Sequence, residues 1–266
     1  MNKIFDIEKI KRNRAWGIDH IERHDFLYVR AIERMIDNLN DIQRDFQNIL
    51  IIGDIKIDIL KNSLNNKNIK LLEFSYLLDG NFKVTTEEFD CVLIAPCLHL
   101  IDAVPAFLLF IKSLLKPDGV FLCSYFGGQS LHELRSCILE VEVEQLGGAS
   151  QHIHPMIDHY QFAGLLQSAG FALPVVDFDR VLVGYSDIDN LYKDLQNMGE
   201  GNALLNRNSN INTLKQLIEN KYKNKYFDNG YAATFDIVHA IGWAPHDSQQ
   251  KPAKRGSGQV SLTEIL

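Results

Sequence analysis

Apolar positions along this chain alternate between helical spacing and short unbroken runs. From Lys9 to Leu39 the segment is charged and amphipathic, with Phe26, Val29, Ile32, Ile36 and Leu39 three or four residues apart, which predicts helix. Asn48 to Ile52 predicts a buried strand that ends at Gly53. A short helix from Ile57 to Leu64, a second strand from Ile69 to Glu73 and a weak strand from Phe82 to Thr85 come next. Phe89 to Ala95 has the unbroken apolar character of a buried parallel strand. A helix from Val104 to Leu115 is stopped by the Lys116-Pro117-Asp118-Gly119 turn, and Val120 to Tyr125 is the next strand.

Beyond Gly127-Gly128, Ser130 and Glu133 have the spacing of a capping box for a helix that runs to about Leu146. A helix from Ile157 to Ala169 ends at Gly170, a residue suited to the left-handed position after a helix. Leu173–Phe178 and Val181–Tyr185 read as an antiparallel hairpin, and Thr234–Trp243 as the last strand. Asp187 to Tyr226 is helical and polar, interrupted by an Asn-rich loop from Asn206 to Asn212. Strands alternating with helices predict βαβ units and a mainly parallel sheet. The expected organisation is a helical segment over 1–40, an α/β domain over 41–243 with a helical elaboration near 187–226, and a polar, basic, partly disordered tail over 244–266.

Composition narrows the classes. The 266 residues are 46% apolar and 23% charged, an ordinary soluble balance with ample material for a core. A formal charge of −7 argues against broad nucleic-acid binding. No apolar run reaches the roughly 18 residues that suggest a membrane span. The first residues lack the apolar core of a signal peptide, and Asp6 and Glu8 are unlike a mitochondrial presequence. Cys91, Cys97, Cys123 and Cys137 form no Cys-x-x-Cys pair and sit mostly in apolar contexts, which fits buried thiols in a reducing, cytoplasmic setting.

The chemistry turns on the residues after Gly53. A nucleotide-binding loop after a first strand is usually glycine-rich, because glycine lets the backbone turn sharply and a ligand approach closely. Here the chain continues Asp54-Ile55-Lys56-Ile57-Asp58, with β-branched side chains in that space.

Several stretches carry a family resemblance. They include Phe5-Asp6, Leu115 through Phe121, Phe126-Gly127-Gly128 with Leu131, Glu133, Leu134 and Arg135, and His152-Ile153 with Pro155. Asp194-Leu195-Gln196, Met198-Gly199-Glu200, Asn202-Ala203, Asn206-Arg207 and Gly242-Trp243 extend the match. On these residues the chain resembles class I S-adenosylmethionine-dependent methyltransferases. Within them it is similar to the branch of the mitochondrial complex I assembly factor that hydroxylates arginine, and more distantly to the malonyl-carrier-protein methyltransferase of biotin synthesis. The resemblance implies a Rossmann-like sheet with helices on both faces, S-adenosylmethionine as cofactor and a protein substrate such as a complex I subunit. Two departures stand out. Ile51 occupies the family's acidic position in the first strand and only Gly53 of the glycines is present; the interval from Glu73 to Asp90 is also shorter than the roughly 30 residues of a full βαβ unit. An element between the second and fourth strands of the family's sheet is therefore expected to be shortened or missing.

The candidate cofactor residues are Gly53 and Asp54, Glu73 in the family's ribose-binding position, and Ala95, Pro96 and His99 at the carboxyl end of a strand. The alternatives are a strand-end turn, a solvated glutamate and a packing histidine. Gly127, Gly128, Glu133, Arg135, His152, Asn202 and Arg207 are the candidate substrate-side residues, with helix capping and surface roles as their alternatives. His152, His154, Asp158 and His159 contain the donors of a two-histidine, one-carboxylate iron site, but only His152 matches the family, and no metal site is expected. Two readings stand: an enzyme that binds S-adenosylmethionine and modifies a protein side chain or a small acid, by methylation or by the arginine hydroxylation the resemblance implies, and a non-catalytic assembly or binding protein of the same fold that has lost its cofactor.

Overall fold

Ile49 and Ile51 point to one face of the first strand and Leu50 and Ile52 to the other, and all four are buried. That two-sided burial explains the unbroken apolar run, and it requires helices on both faces. The computed structural model describes residues 3–64, 67–80, 86–206, 209–251 and 257. Its strands are β1 (Asn48–Ile52), β2 (Asn68–Leu72), β3 (Phe89–Ile94), β4 (Leu115–Gly127), β5 (Ala172–Tyr185) and β6 (Tyr231–Trp243). They form one sheet in the order β2-β1-β3-β4-β6-β5. The first four are parallel, and β6 runs antiparallel between β4 and β5.

The principal helices are α1 (Ile7–His20), α2 (Phe26–Asn40), α3 (Ile57–Ser63), α4 (Phe74–Asp79), α5 (Val104–Leu114), α6 (His132–Leu146), α7 (His159–Ser168), α8 (Ile188–Asn197) and α9 (Lys215–Tyr226). On one face Phe107, Leu108 and Ile111 of α5 and Phe162 and Leu166 of α7 meet Leu50, Val92 and Phe121. On the other, Ile32, Met35 and Leu39 of α2 and Leu60 of α3 meet Ile49, Leu93 and Leu122. A third cluster gathers α6, α8 and α9 against Tyr231, Ala233, Phe235 and Ile237 of β6.

The expected shortening is present. Among the described residues β2 is the edge of the parallel half, and only the six-residue α4 comes after it before Gly80. The weak strand expected over 82–85 lies outside the described residues, as does most of the tail beyond Lys251.

The amphipathic N-terminal segment is two helices, α1 and α2, separated between Ile21 and Asp25. Three expectations are corrected. The hairpin is one strand, because Asp177 and Asp179 pair with Arg34 and Arg30 of α2 and Arg180 pairs with Asp236 of β6, holding the polar tract in register rather than letting it turn. The Lys116–Gly119 tract falls within β4, as an irregularity beside β3. The capping box does not form: Leu131 takes a left-handed φ of 55°, Ser130 Oγ donates to the Gly127 carbonyl at 2.7 Å, and Glu133 accepts from the Thr234 backbone at 3.1 Å. A capping box does form at Asp158 and Gln161, where α7 begins.

Candidate functional site

Helix α1 carries Ile10, Arg14 and Gly17 on its buried stripe, so an arginine stands where a helix normally buries an apolar side chain. Asp6 caps this helix by accepting from the Lys9 backbone at 3.0 Å. The stripe lies against the carboxyl-end loop of β1, the end at which open α/β sheets bind ligands. There the Arg14 Nε donates to Asp54 Oδ1 at 3.0 Å, and Nη1 donates to Glu200 Oε1 at 3.1 Å and to the Tyr28 hydroxyl at 2.5 Å. Tyr28 donates in turn to Glu200. The other Glu200 oxygen lies 2.8 Å from His99 Nε2.

Both ion pairs are nearly dry, with the Arg14, Asp54 and Glu200 side chains 3%, 6% and 8% exposed. Burial opposes the charge on Arg14, but Asp54, Tyr28 and Glu200 more than offset it and raise its pKa well above the usual value. Burial alone would raise Glu200; His99, Arg14 and the Tyr28 hydroxyl hold it down to about 2. Burial raises the Tyr28 phenol well above its ordinary pKa. His99 Nδ1 is buried without a hydrogen-bond partner.

The residues expected to hold the cofactor, Gly53, Asp54, Glu73, Ala95, Pro96 and His99, all lie at this end of the sheet; the Gly53 backbone donates to the Leu72 carbonyl at 3.1 Å, which puts Glu73 beside the loop. Glu73 is exposed at the start of α4, and its carboxylate makes no hydrogen bond or ion pair with a described residue. The fit to S-adenosylmethionine is poor at the point where the ligand must approach. A Cβ on Gly53 would lie 2.6 Å from Ala95 Cβ and 3.1 Å from Ile57, so this glycine serves close packing between strand ends. Asp54 is bound to Arg14, and the buried Ile55 fills the gap between Gly17 and Gly199.

The substrate-side residues divide differently. Gly127 and Gly128 close a tight turn: a Cβ on Gly127 would strike the Ile157 carbonyl at 2.4 Å, and one on Gly128 would strike Asp236 at 2.6 Å. Glu133 is buried against Thr234, and Arg135 lies half-buried on α6. His152 and Asn202 line a cavity of about 420 Å³, a usual size for a ligand pocket. Arg207 lies outside the described residues. Phe126, Leu134, Ile138, Leu195, Met198 and Phe235 supply apolar walls to the cavity, with Asp189, Lys215 and Glu200 as its charged members. His152 is fixed there by Glu142, 2.7 Å away, whose second oxygen accepts from the Ser150 backbone. Glu200 therefore belongs both to the cavity wall and to the buried network around Arg14.

The four possible iron ligands go to different tasks. His152 pairs with Glu142, His154 Nε2 accepts from the Ala203 backbone at 3.1 Å, Asp158 caps α7, and His159 stacks on Phe178. Among the described residues no three His, Cys, Asp or Glu side chains group as metal ligands. Sequence reasoning missed Arg14 and Tyr28 and gave Glu200 no role. The available signal was a single arginine on the apolar stripe of α1, which requires a carboxylate partner.

The methyltransferase domain family matches residues 7–174. Arginine-hydroxylase NDUFAF5, mitochondrial, from Danio rerio is 34% identical over 98% of this chain and 89% of that protein. Its counterpart from Mus musculus is 35% identical over 98% of this chain and 83% of that protein. A methyltransferase structure from Bacillus halodurans aligns with a TM-score of 0.50 at 13% identity, covering 79% of this chain and 99% of that one, a likeness of fold alone. The fold, the domain match and the near full-length similarity together place this chain in the methyltransferase-domain family, in the branch of the mitochondrial arginine hydroxylases.

Proposed function

We propose that this protein hydroxylates an arginine side chain of a protein substrate, a respiratory complex I subunit by family resemblance, and that the arginine enters the cavity between α6, α8 and β6. The observation that carries the reading is the cavity itself: apolar walls, with Glu200 held by Arg14 and His99 and an Asp189–Lys215 ion pair as its charged members. An arginine side chain has an apolar stem and a planar head with five N–H donors, which suits apolar walls that also carry the acceptor oxygens of Asn202 and Asp189. His152, Asn202 and Asp189 are then positioning residues for the substrate.

Hydroxylation inserts one oxygen atom of dioxygen into a C–H bond; the other leaves as water, with two electrons and two protons from a reductant. The chain's own groups bind and orient the arginine and keep water from it. The four free cysteines, all buried, fit a reducing cytoplasmic setting, and no helix among the described residues is long and apolar enough to cross a membrane.

The test is peptide mass mapping of complex I subunits from cells with and without this gene. The expected result is one arginine-containing peptide heavier by one oxygen atom only when the gene is present. Identical arginine peptides in both cells would contradict the reading.

A further inference from the structure

We infer that this chain keeps its own side chains in the crevice where its fold binds a nucleotide cofactor, with Arg14 as the resident cation, and that S-adenosylmethionine does not bind there. The inference goes beyond arginine hydroxylation and does not depend on it.

Three independent contacts close the crevice. The first is charge. The Arg14 guanidinium reaches from α1 to Asp54 in the loop after β1 and to Glu200, with Tyr28 completing the group. A zwitterionic, sulfonium-bearing ligand entering here would have to break ion pairs whose side chains are almost fully buried.

The second is shape. A Cβ on Gly17 would lie 2.9 Å from Ile55 Cδ1 and 3.0 Å from the Gly199 backbone nitrogen, so α1, the β1 loop and the segment at Gly199 already touch. Ile55 is 1% exposed in that contact. The third is the floor. Gly53 sits against Ala95, and Ala95, Pro96 and Cys97 are all buried.

Helix α1 is also anchored at both ends of the closure. Asn13 Nδ2 donates to the Gly201 carbonyl at 2.6 Å, and the Asp6 backbone donates to the Ala203 carbonyl at 2.8 Å.

The experiment is equilibrium dialysis of the full chain against labelled S-adenosylmethionine and S-adenosylhomocysteine up to millimolar concentration, with hydrogen exchange monitored in the same samples. The expected result is no saturable uptake and unchanged protection over Ile10–Gly17 and Gly53–Ile57. Uptake that leaves both segments unchanged is binding outside the crevice and agrees with the inference. Saturable uptake that alters protection in either segment overturns it. Arginine hydroxylation is read by peptide mass, so the failure of one reading is distinguishable from the failure of the other.

Discussion

Arg14 and Glu200 lie 186 residues apart in sequence and meet at 3.1 Å, tying helix α1 to the segment just beyond α8. Glu200 faces the cavity as well. One buried carboxylate thus connects the N-terminal helix, the end of the parallel sheet and the proposed substrate chamber.

Removing Arg14 leaves Asp54 and Glu200 buried without their cation. Breaking one side of such a pair costs about 3–5 kcal/mol, so Arg14→Ala is expected to lose stability on that scale. Arg14→Lys retains the charge but not the forked geometry and is expected to lose less. Urea unfolding checks both; a loss below about 1 kcal/mol in Arg14→Ala would mean the network is solvated.

Two groups set opposite ends of the acid response. The pKa of Glu200 is depressed to about 2 in the folded protein, so the stability it contributes is present above its ordinary value of 4.5 and is lost as pH falls towards 2. Burial lowers His154 from 6.5 to about 4, and Glu200 and His99 act on it in opposite senses. The unfolded chain then binds the extra proton between those values, so stability drops as pH falls from 6.5 to 4. Unfolding curves of His154→Phe against pH are expected to be flatter than wild type over that window. An unchanged slope would place the acid response elsewhere.

Gly17 offers a packing test. Alanine usually stabilises a helix interior relative to glycine, by roughly 1 kcal/mol. Here the added Cβ meets the Gly199 backbone at 3.0 Å, so Gly17→Ala is expected to destabilise by about 1–3 kcal/mol. Ile55→Ala in the same chain relieves only the 2.9 Å side-chain contact and is expected to recover little. Thermal melts decide the sign, and a stabilised Gly17→Ala would show that α1 is free to move off the loop.

The centre of the parallel half was legible because β1 and β3 are buried on both faces. Asn48–Ile52 and Phe89–Ile94 announce themselves as apolar runs, and no tertiary contact is needed to find them. The shortening after β2, seen among the described residues, was legible from the short interval after Glu73. Elements whose form depends on remote partners were not. Ser130 and Glu133 spell a capping box locally, yet Thr234, about a hundred positions away, takes the carboxylate. Asp179-Arg180 reads as a turn until Arg30 of α2 and Asp236 of β6 supply the opposite charges. The network around Arg14 was illegible for the same reason: Arg14, Asp54, His99 and Glu200 are scattered through the chain, and only the fold brings them together.

The measurement that tests the central claim most directly joins the cavity to the chemistry. Leu195 lines the chamber from α8 and is only partly buried, so Leu195→Trp fills the space while leaving the main core in place. Cells lacking the gene are supplied with wild type or with Leu195→Trp, the folding of each variant is checked by its melting curve, and the arginine peptides of complex I subunits are weighed. The account predicts that wild type restores the peptide carrying one extra oxygen atom and that folded Leu195→Trp does not. An oxygenated peptide at wild-type level with the filled cavity would contradict it.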